Sequence, residues 1–337
     1  MAPIYKIAII QFQPKDLDIA GNFAYCENEI RKVAAQGAHI AMVPEYHLTS
    51  WVAEHPDFIA ASAKSGAYLA RYQALARELN LHIVTGTIVE AHSKGPNSTL
   101  VTELDGVTYT KDNVELRNMA YFVAAGTGEI LGRYQKANLW HPERDHLTPP
   151  SLESAGCNGS TVGWPPHVAF DIPGLTWGEA AHGPGGNGQP DKPIRGGMLI
   201  CWDLAFPEGF RTLVADGADL ILIPSFWDPY NDVDAESLAL NHECEVDFLR
   251  SCLNTRACEN TCAVAFCNAG GLSQLAQPIV GRRGEILPGV NGTNIVELDL
   301  NILRVAENNY LVRKDMKKLD WHYSHTLNYP VAEPSSK

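Results

Sequence analysis

An α/β fold, a sheet covered by helices, is what this sequence predicts. Short apolar runs of β type recur along the chain, and segments with helical spacing stand between them. A chain of 337 residues with 45% hydrophobic content can bury a large core. Asn22 to Gln36 places Phe23, Cys26, Ile30 and Val33 at helical spacing and stops at Gly37. His39 to Pro44 reads as a short buried strand that delivers Glu45, and Asp57 to Asn80 as a second helix. His82 to Val89 is β-rich, and Asn118 to Tyr134 reads as a hairpin turning at Gly126-Thr127-Gly128. The run Ile130 to Gln135 delivers Lys136. Gly196 to Ile200 is an apolar run ending on Cys201. Pro207-Glu208 then opens an amphipathic helix with Phe206, Phe210, Leu213 and Val214 in step, closed by Gly217. Leu220 to Ile223 is a buried strand, Leu238 to Asn260 a long helix and Cys262 to Asn268 another strand. Gln277 to Leu298 gives two more strands around turn glycines. Ser151 to Gly163 and the Gly/Pro-rich Gly174 to Gly196 read as insertions, the latter as a surface loop joining two strands of a hairpin or, alternatively, as a lid or subunit contact beside the cysteine strand.

Composition excludes several classes of function. A formal net charge of −13 argues against non-specific nucleic-acid binding. No stretch is long and apolar enough to span a membrane, and Met1 to Lys6 lacks the pattern of a signal peptide. The expectation is a cytoplasmic protein with reduced thiols. Of the 8 cysteines, Cys244, Cys252, Cys258 and Cys262 lie close together with His242, but their spacing does not match paired CxxC zinc ligands. They read as structural thiols, and no metal is expected. Cys26, Cys157 and Cys267 carry no motif.

Three strand exits carry chemistry. A thiol at the end of a buried strand, just before a helix, sits where α/β proteins place their reactive groups. Helix polarity and nearby N–H groups favour its thiolate. Alone, Cys201 reads equally well as a buried structural cysteine, and a lone Glu45 or Lys136 as a solvated strand end. Together they supply a base, a cation and a nucleophile.

The same residues resemble the nitrilase (carbon–nitrogen hydrolase) superfamily. Ile7 to Gln11 resembles its first strand, Val43-Pro44-Glu45 its glutamate segment, Gly132 to Lys136 its lysine segment and Cys201 to Glu208 its cysteine elbow. Pro224 to Trp227 and Arg256 to Asn260 fit two further signatures, so the likeness runs from Lys6 to about Leu300. It implies a four-layer α-β-β-α sandwich and cofactor-independent hydrolysis of a non-peptide C–N bond by Glu45, Lys136 and Cys201. In that chemistry Cys201 attacks, Glu45 moves the proton, and Lys136 with the Trp202 N–H stabilises the oxyanion, each such donor being worth roughly 3–4 kcal/mol. A thioester forms and water releases it. Glu143, seven positions after Lys136, corresponds to a second glutamate that positions substrate and lysine, although Asn138 stands where many members have histidine. Its other reading is a surface ion pair with Arg144.

Trp202-Asp203 followed by Phe206-Pro207-Glu208 looks more like the amidases than like nitrilases proper, which usually carry Trp-Glu. The expected activity is release of ammonia from a small carboxamide. The alternatives are a nitrilase acting on a nitrile and, from another class, a catalytically silent scaffold or small-molecule binding protein. Tyr46, Trp51, Trp140, Trp202 and Trp227 suggest a partly aromatic substrate pocket. With no arginine close after the cysteine, neutral and aromatic acyl groups are expected over anionic ones. Residues 1–300 read as one hydrolase domain and 301–337 as an extension. Its Tyr310, Leu311, Trp321, Tyr323, Leu327 and Tyr329 suit contact with a second subunit in a homodimer or larger homo-oligomer.

Overall fold

Alternating side chains of the first strand, β1 (Ile4–Gln11), go to opposite sides and set the layering. Ile7 and Ile9 enter a core between two sheets, whereas Ala8 and Ile10 enter a core beneath helices. The computed structural model describes residues 2–95, 98–101, 110–150, 167–318, 320, 321 and 323. After β1 come α1 (Ile19–Ala35), β2 (Ile40–Met42), α2 (Phe58–Ser65), α3 (Tyr68–Leu79), β3 (His82–Ser93), β4 (Leu100–Val101), β5 (Val114–Val123) and β6 (Ile130–Gln135). The second half adds β7 (Phe170–Thr176), β8 (Pro193–Met198), α4 (Pro207–Ala215), β9 (Leu220–Ser225), α5 (Ala235–Leu240), α6 (Cys244–Asn260) and β10 (Ala263–Asn268). It ends with β11 (Ser273–Gln277), β12 (Gly281–Ile286), β13 (Gly292–Asp299), α7 (Leu300–Tyr310) and α8 (Val312–Met316).

The first sheet has 7 strands in the order β13-β1-β2-β3-β5-β6, with β4 on β3; the second has 6, in the order β12-β11-β10-β9-β8-β7. Each has a parallel centre, β1-β2-β3 and β8-β9-β10, because helical crossovers return the chain to the same end. Antiparallel strands flank both centres. Phe23, Ile30, Val33, Tyr72 and Leu75 of α1 and α3 cover the outer face of the first sheet. Leu213 of α4 and Leu249, Leu253 and Ala257 of α6 pack on the second. The result is the α-β-β-α sandwich.

Two expected helices are divided. The segment from Asp57 to Asn80 breaks at Gly66 and Ala67 into α2 and α3. Glycine is a poor helix residue, and the halves serve different cores, Phe58 in one and Tyr72 and Leu75 in another. The segment from Leu238 to Asn260 breaks at Asn241, His242 and Glu243 into α5 and α6. There the Asn241 side chain accepts the Glu243 backbone N–H at 3.0 Å, a local bond that competes with helix.

The Gly/Pro-rich segment joins the antiparallel pair β7 and β8 and rests on α7, where Arg304 donates to the Pro184 carbonyl at 3.1 Å. The other expected insertion, Ser151 to Gly163, lies outside the described residues, as do Leu327 and Tyr329. Leu303 and Ala306 of α7 are buried in the chain's own core. In α8, Arg313 ties back to Asp219 and to the Ala218 and Thr261 carbonyls. Cys244, Cys252 and Cys258 lie on α6, and Cys262 is buried beyond its end. The described residues hold no group of His, Cys, Asp and Glu that could bind a metal ion. No described helix is long and apolar enough to cross a membrane.

A bulge in β3 shapes the floor under Glu45. The register shifts between Val84 and Thr87, and Gly86 takes φ +60° with its ideal Cβ position 2.0 Å from the Pro44 carbonyl oxygen. Replacing Gly86 with alanine should therefore destabilise the fold by about 2–3 kcal/mol. Urea unfolding measures it, and a midpoint equal to that of the unchanged protein would contradict this role.

Candidate active site

The four predicted catalytic residues come from three strand exits and one short turn. Glu45 follows β2 through Val43 and Pro44. Lys136 follows β6 directly, and Glu143 closes a 3-10 turn over His141–Glu143. Cys201 follows β8 through Leu199 and Ile200 and opens a 3-10 turn, Cys201–Ala205, that leads into α4. Pro207 begins α4 as expected, where its missing N–H leaves no bond unmade.

Lys136 is the centre. Its ammonium is fully buried and donates to Glu45 Oε1 at 2.9 Å and to Glu143 Oε1 at 2.6 Å. An ammonium has three protons, and among the described residues the third has no acceptor. The Glu45 carboxylate also accepts from Asn118 Nδ2 at 2.8 Å on Oε1 and from the Phe226 backbone N–H at 2.8 Å on Oε2. Glu143 accepts from the Tyr46 hydroxyl on Oε1 and from the Trp140 backbone N–H at 2.8 Å on Oε2. Asn118 Nδ2 donates also to the Tyr46 oxygen at 3.0 Å, which closes the ring of bonds.

Removing these charges from water costs several kcal/mol per ion, and only this density of pairing offsets it. The electrostatics follow. Burial pushes the Glu45 carboxyl up and the neighbouring charge of Glu143 adds to this, while Lys136 opposes it; the result is about 7. Burial works against the Lys136 charge, but Glu45, Cys201 and Glu143 outweigh it and hold the ammonium above its usual range. Burial, then the charge of Glu45, pushes the Cys201 thiol well up against the opposing pull of Lys136. Cys201 therefore rests as a thiol, against the expectation that helix polarity would favour its thiolate, because burial and the nearby carboxylate outweigh that field; beside it lies a carboxyl whose pKa is about 7, which suits general-base activation.

The backbone is strained where chemistry would occur. Cys201 has φ +46° and Tyr46 φ +51°, both in the left-handed region that non-glycine residues rarely occupy. Cys201 is only 7% exposed, and the Phe226 carbonyl oxygen lies 4.0 Å from its sulfur.

The five aromatic residues divide into two sets. Tyr46 and Trp227 are buried, and both are engaged: Tyr46 by Glu143 and Asn118, Trp227 through its indole N–H donated to Glu245 at 3.0 Å. Trp51, Trp140 and Trp202 are partly exposed. Trp51 stacks on Tyr46 at 4.8 Å and, with Pro142 and His146, lines a cavity of about 580 Å³. Trp202 packs on Trp227 at 5.4 Å. Glu143 makes no surface pair with Arg144, whose side chain donates instead to the Leu139 carbonyl. Arg256 of the expected signature is buried and bonds the Leu204 carbonyl at 3.4 Å, bracing the cysteine turn.

Sequence reasoning passed over Asn118 and the Phe226 N–H. Asn118 leaves one trace, a polar residue at the start of the apolar run Met119 to Val123; a backbone N–H leaves none.

Comparison with known proteins gives the family of the chain. Residues 6–309 match the carbon–nitrogen hydrolase family. The chain belongs to that family. Among curated members, a nitrilase of Pyrococcus abyssi is 26% identical over 65% of this chain and 64% of its own length. An (R)-stereoselective amidase of a Pseudomonas species is 23% identical over 93% of this chain and 91% of that one. The match spans 58% of an N-carbamoylputrescine amidase of Arabidopsis thaliana, so with some relatives it covers less than two thirds of their length. Among solved structures, an amidase from Nesterenkonia superposes with a TM-score of 0.58 at 22% identity, covering 89% of this chain and 92% of that one. Nit3 of Saccharomyces cerevisiae gives 0.65 at 16% identity over 94% and 97%. At these identities the structures establish that the carbon–nitrogen hydrolase chain has the nitrilase-type sandwich.

The carboxylate that would act as base sets the pH dependence. Lowering pH through about 7 protonates Glu45 and removes the acceptor for the thiol proton. Turnover, assayed as ammonia release, should rise with pH through about 7 and level off above it. A kcat/KM that stays flat from pH 5 to pH 8, with the fold intact, would contradict Glu45 as base, roughly a hundredfold change being expected across two pH units below its pKa.

Proposed function

We propose that this protein is a cofactor-independent amidase that releases ammonia from a small carboxamide through a Cys201 thioester. The observation that carries the reading is the Lys136 ammonium. Two of its protons go to buried carboxylates and the third is left for a developing oxyanion. In the first half-reaction the Cys201 sulfur bonds to the carbonyl carbon as its proton passes to Glu45. The negative oxygen is held by Lys136 and the Trp202 N–H. The C–N bond then breaks, and Glu45 returns the proton to the departing ammonia. In the second half, water attacks the thioester carbon as Glu45 takes its proton, the C–S bond breaks to release the acid, and Glu45 returns the proton to the Cys201 sulfur. Glu143 and Tyr46 hold Lys136 in place throughout. A silent scaffold has no use for a buried cation balanced between two carboxylates.

Several features support an amide with a neutral acyl group. Arg144 is turned to a backbone carbonyl, and Arg195 is paired with Asp171 and Asp216. Trp51, Trp140 and Trp202 offer the available faces. The amidase-named relatives agree in direction, and the nitrilase-named one keeps nitriles as the competing substrate. The proposed setting is the cytoplasm. We also propose one hydrolase domain over 1–300 and a homodimer or larger assembly. Tyr310 and Tyr323, 45% and 62% exposed, lie in the part of the 301–337 extension offered to a partner.

Replacing Cys201 with alanine should reduce ammonia release by about 10⁴-fold or more while leaving the melting temperature near that of the unchanged protein. An amide should exceed the nitrile of the same acyl group in kcat/KM; faster nitrile turnover would move the protein to the nitrilase branch. Exhaustive chelation should leave the rate unchanged, and a stoichiometric metal whose removal stops turnover would overturn the mechanism. Light scattering at micromolar concentration should give at least twice the chain mass, and a monomer would exclude the assembly.

A further inference from the structure

We propose that Asp203 is a positioning residue that sets the cation and the nucleophile in register, with Asn138 as its partner. The inference rests on the roles proposed above for Lys136 and Cys201. It concerns how they are brought to a fixed separation.

Asp203 is 1% exposed. Its carboxylate accepts four hydrogen bonds from uncharged donors. On Oδ2 these are the Tyr134 hydroxyl at 2.8 Å and the Ile200 backbone N–H at 2.9 Å. On Oδ1 they are the Asn138 backbone N–H at 2.9 Å and the Asn138 side-chain amide at 2.8 Å. A carboxylate has about four lone-pair sites, so its accepting capacity is filled.

The donors stand in a telling order along the chain. Tyr134 and Asn138 flank Lys136, two positions before it and two after. Ile200 and Asp203 bracket Cys201. The turn is closed from the other side as well, since the Asp203 N–H donates to the Ile200 carbonyl at 3.0 Å. The left-handed Cys201 thus sits inside a loop pinned at both ends, and Lys136 inside another pinned by the same carboxylate.

The topology makes such a tie necessary. Lys136 leaves β6 of the first sheet, and Cys201 follows β8 of the second. The sheets share no backbone ladder and apolar packing between their inner faces is non-directional, so hydrogen bonds between them, such as the Phe226 N–H to Glu45 and those on Asp203, set their relative position. The Asp203 bonds cross that interface with direction. An error of about 1 Å between reacting groups can cost about a hundredfold in rate. Asp203 touches neither the proposed oxyanion donor nor the sulfur, so its effect passes through the residues on either side of them.

The test uses Asn138→Ala, Asp203→Asn, Asn138→Asp and the exchange Asn138→Asp/Asp203→Asn in the full chain. Kinetics are read on the best carboxamide substrate, and melting temperature is followed in parallel. Asn138→Ala should lower kcat by about tenfold and Asp203→Asn by about a hundredfold, with KM within about threefold of the unchanged protein. Asn138→Asp sets a second carboxylate against the first and should lose about a hundredfold as well. The exchange restores one amide and one carboxylate to the pair, while the Tyr134 hydroxyl and the Ile200 and position-138 backbone N–H groups remain as they were, so it should recover about tenfold over Asn138→Asp alone. If Asp203→Asn does not fold, Asn138→Ala and the exchange decide the matter. The proposal is overturned if Asn138→Ala keeps kcat within twofold of the unchanged protein. It is equally overturned if the losses appear in KM or melting temperature alone, or if the exchange recovers nothing. Cys201→Ala runs alongside. Turnover surviving in that variant would remove the active-site reading itself, whereas a dead Cys201→Ala beside a native-like Asn138→Ala removes only the role of Asp203.

Discussion

A single ammonium held between two buried carboxylates is the constraint on which the rest of this structure depends. Lys136 lies at hydrogen-bond distance from both Glu45 and Glu143, and none of the three is significantly exposed. Such a group is tolerable in a protein interior only if nearly every lone pair is met, because one unpaired buried charge costs several kcal/mol. The surrounding elements supply the required donors. β5 brings Asn118, the exit of β9 brings the Phe226 N–H, and the short turn after Lys136 brings the Trp140 N–H.

This requirement explains several features that would otherwise look like defects. The bulge at Gly86 lets the Pro44 carbonyl approach β3, and next to it Thr87 Oγ1 accepts the Tyr46 backbone N–H at 3.0 Å. Tyr46 takes a left-handed conformation and sends its hydroxyl to Glu143. Cys201 adopts the same unusual region at the head of its turn. Each strained residue is held by hydrogen bonds from a neighbouring element, so the strain is maintained by tertiary structure and not by local preference.

The charge balance also defines the resting state. One cation faces two carboxylates and a thiol. Burial favours neutral forms, so the thiol keeps its proton and Glu45 is drawn toward neutrality, while Lys136 stays charged. A base near its midpoint can accept a proton in one step and return it in the next, which acyl transfer to water requires of a single residue. Glu45 and Glu143 each accept three hydrogen bonds over both oxygens, so what separates them is the Cys201 thiol beside Glu45, which makes Glu45 the proposed proton carrier.

Much of the fold was legible in the sequence because it rests on local periodicity. Ile7 to Ile10 alternate between two cores, and Phe23, Cys26, Ile30 and Val33 face one, as their spacing requires. The strand exits at Glu45, Lys136 and Cys201 were legible for the same reason, since an apolar run announces its own end. The breaks at Gly66 and Asn241 were not, because a helical pattern continues through both and what divides them is a single glycine in one case and a local Asn241 side-chain bond in the other. Tertiary structure alone decided that Glu143 faces Lys136 instead of pairing with Arg144, and that Tyr46 and Trp227 are buried and hydrogen-bonded while Trp51, Trp140 and Trp202 stay partly exposed. It alone revealed Asn118, the Phe226 N–H and the four bonds on Asp203. The physical reason is common to all of these. Sequence pattern encodes which face of an element is apolar, a property of neighbouring residues. The partner of a buried polar group can come from a distant element, as Asn118 and Phe226 lie 73 and 181 positions from Glu45, and it appears only when the chain has folded and the two sheets close on each other.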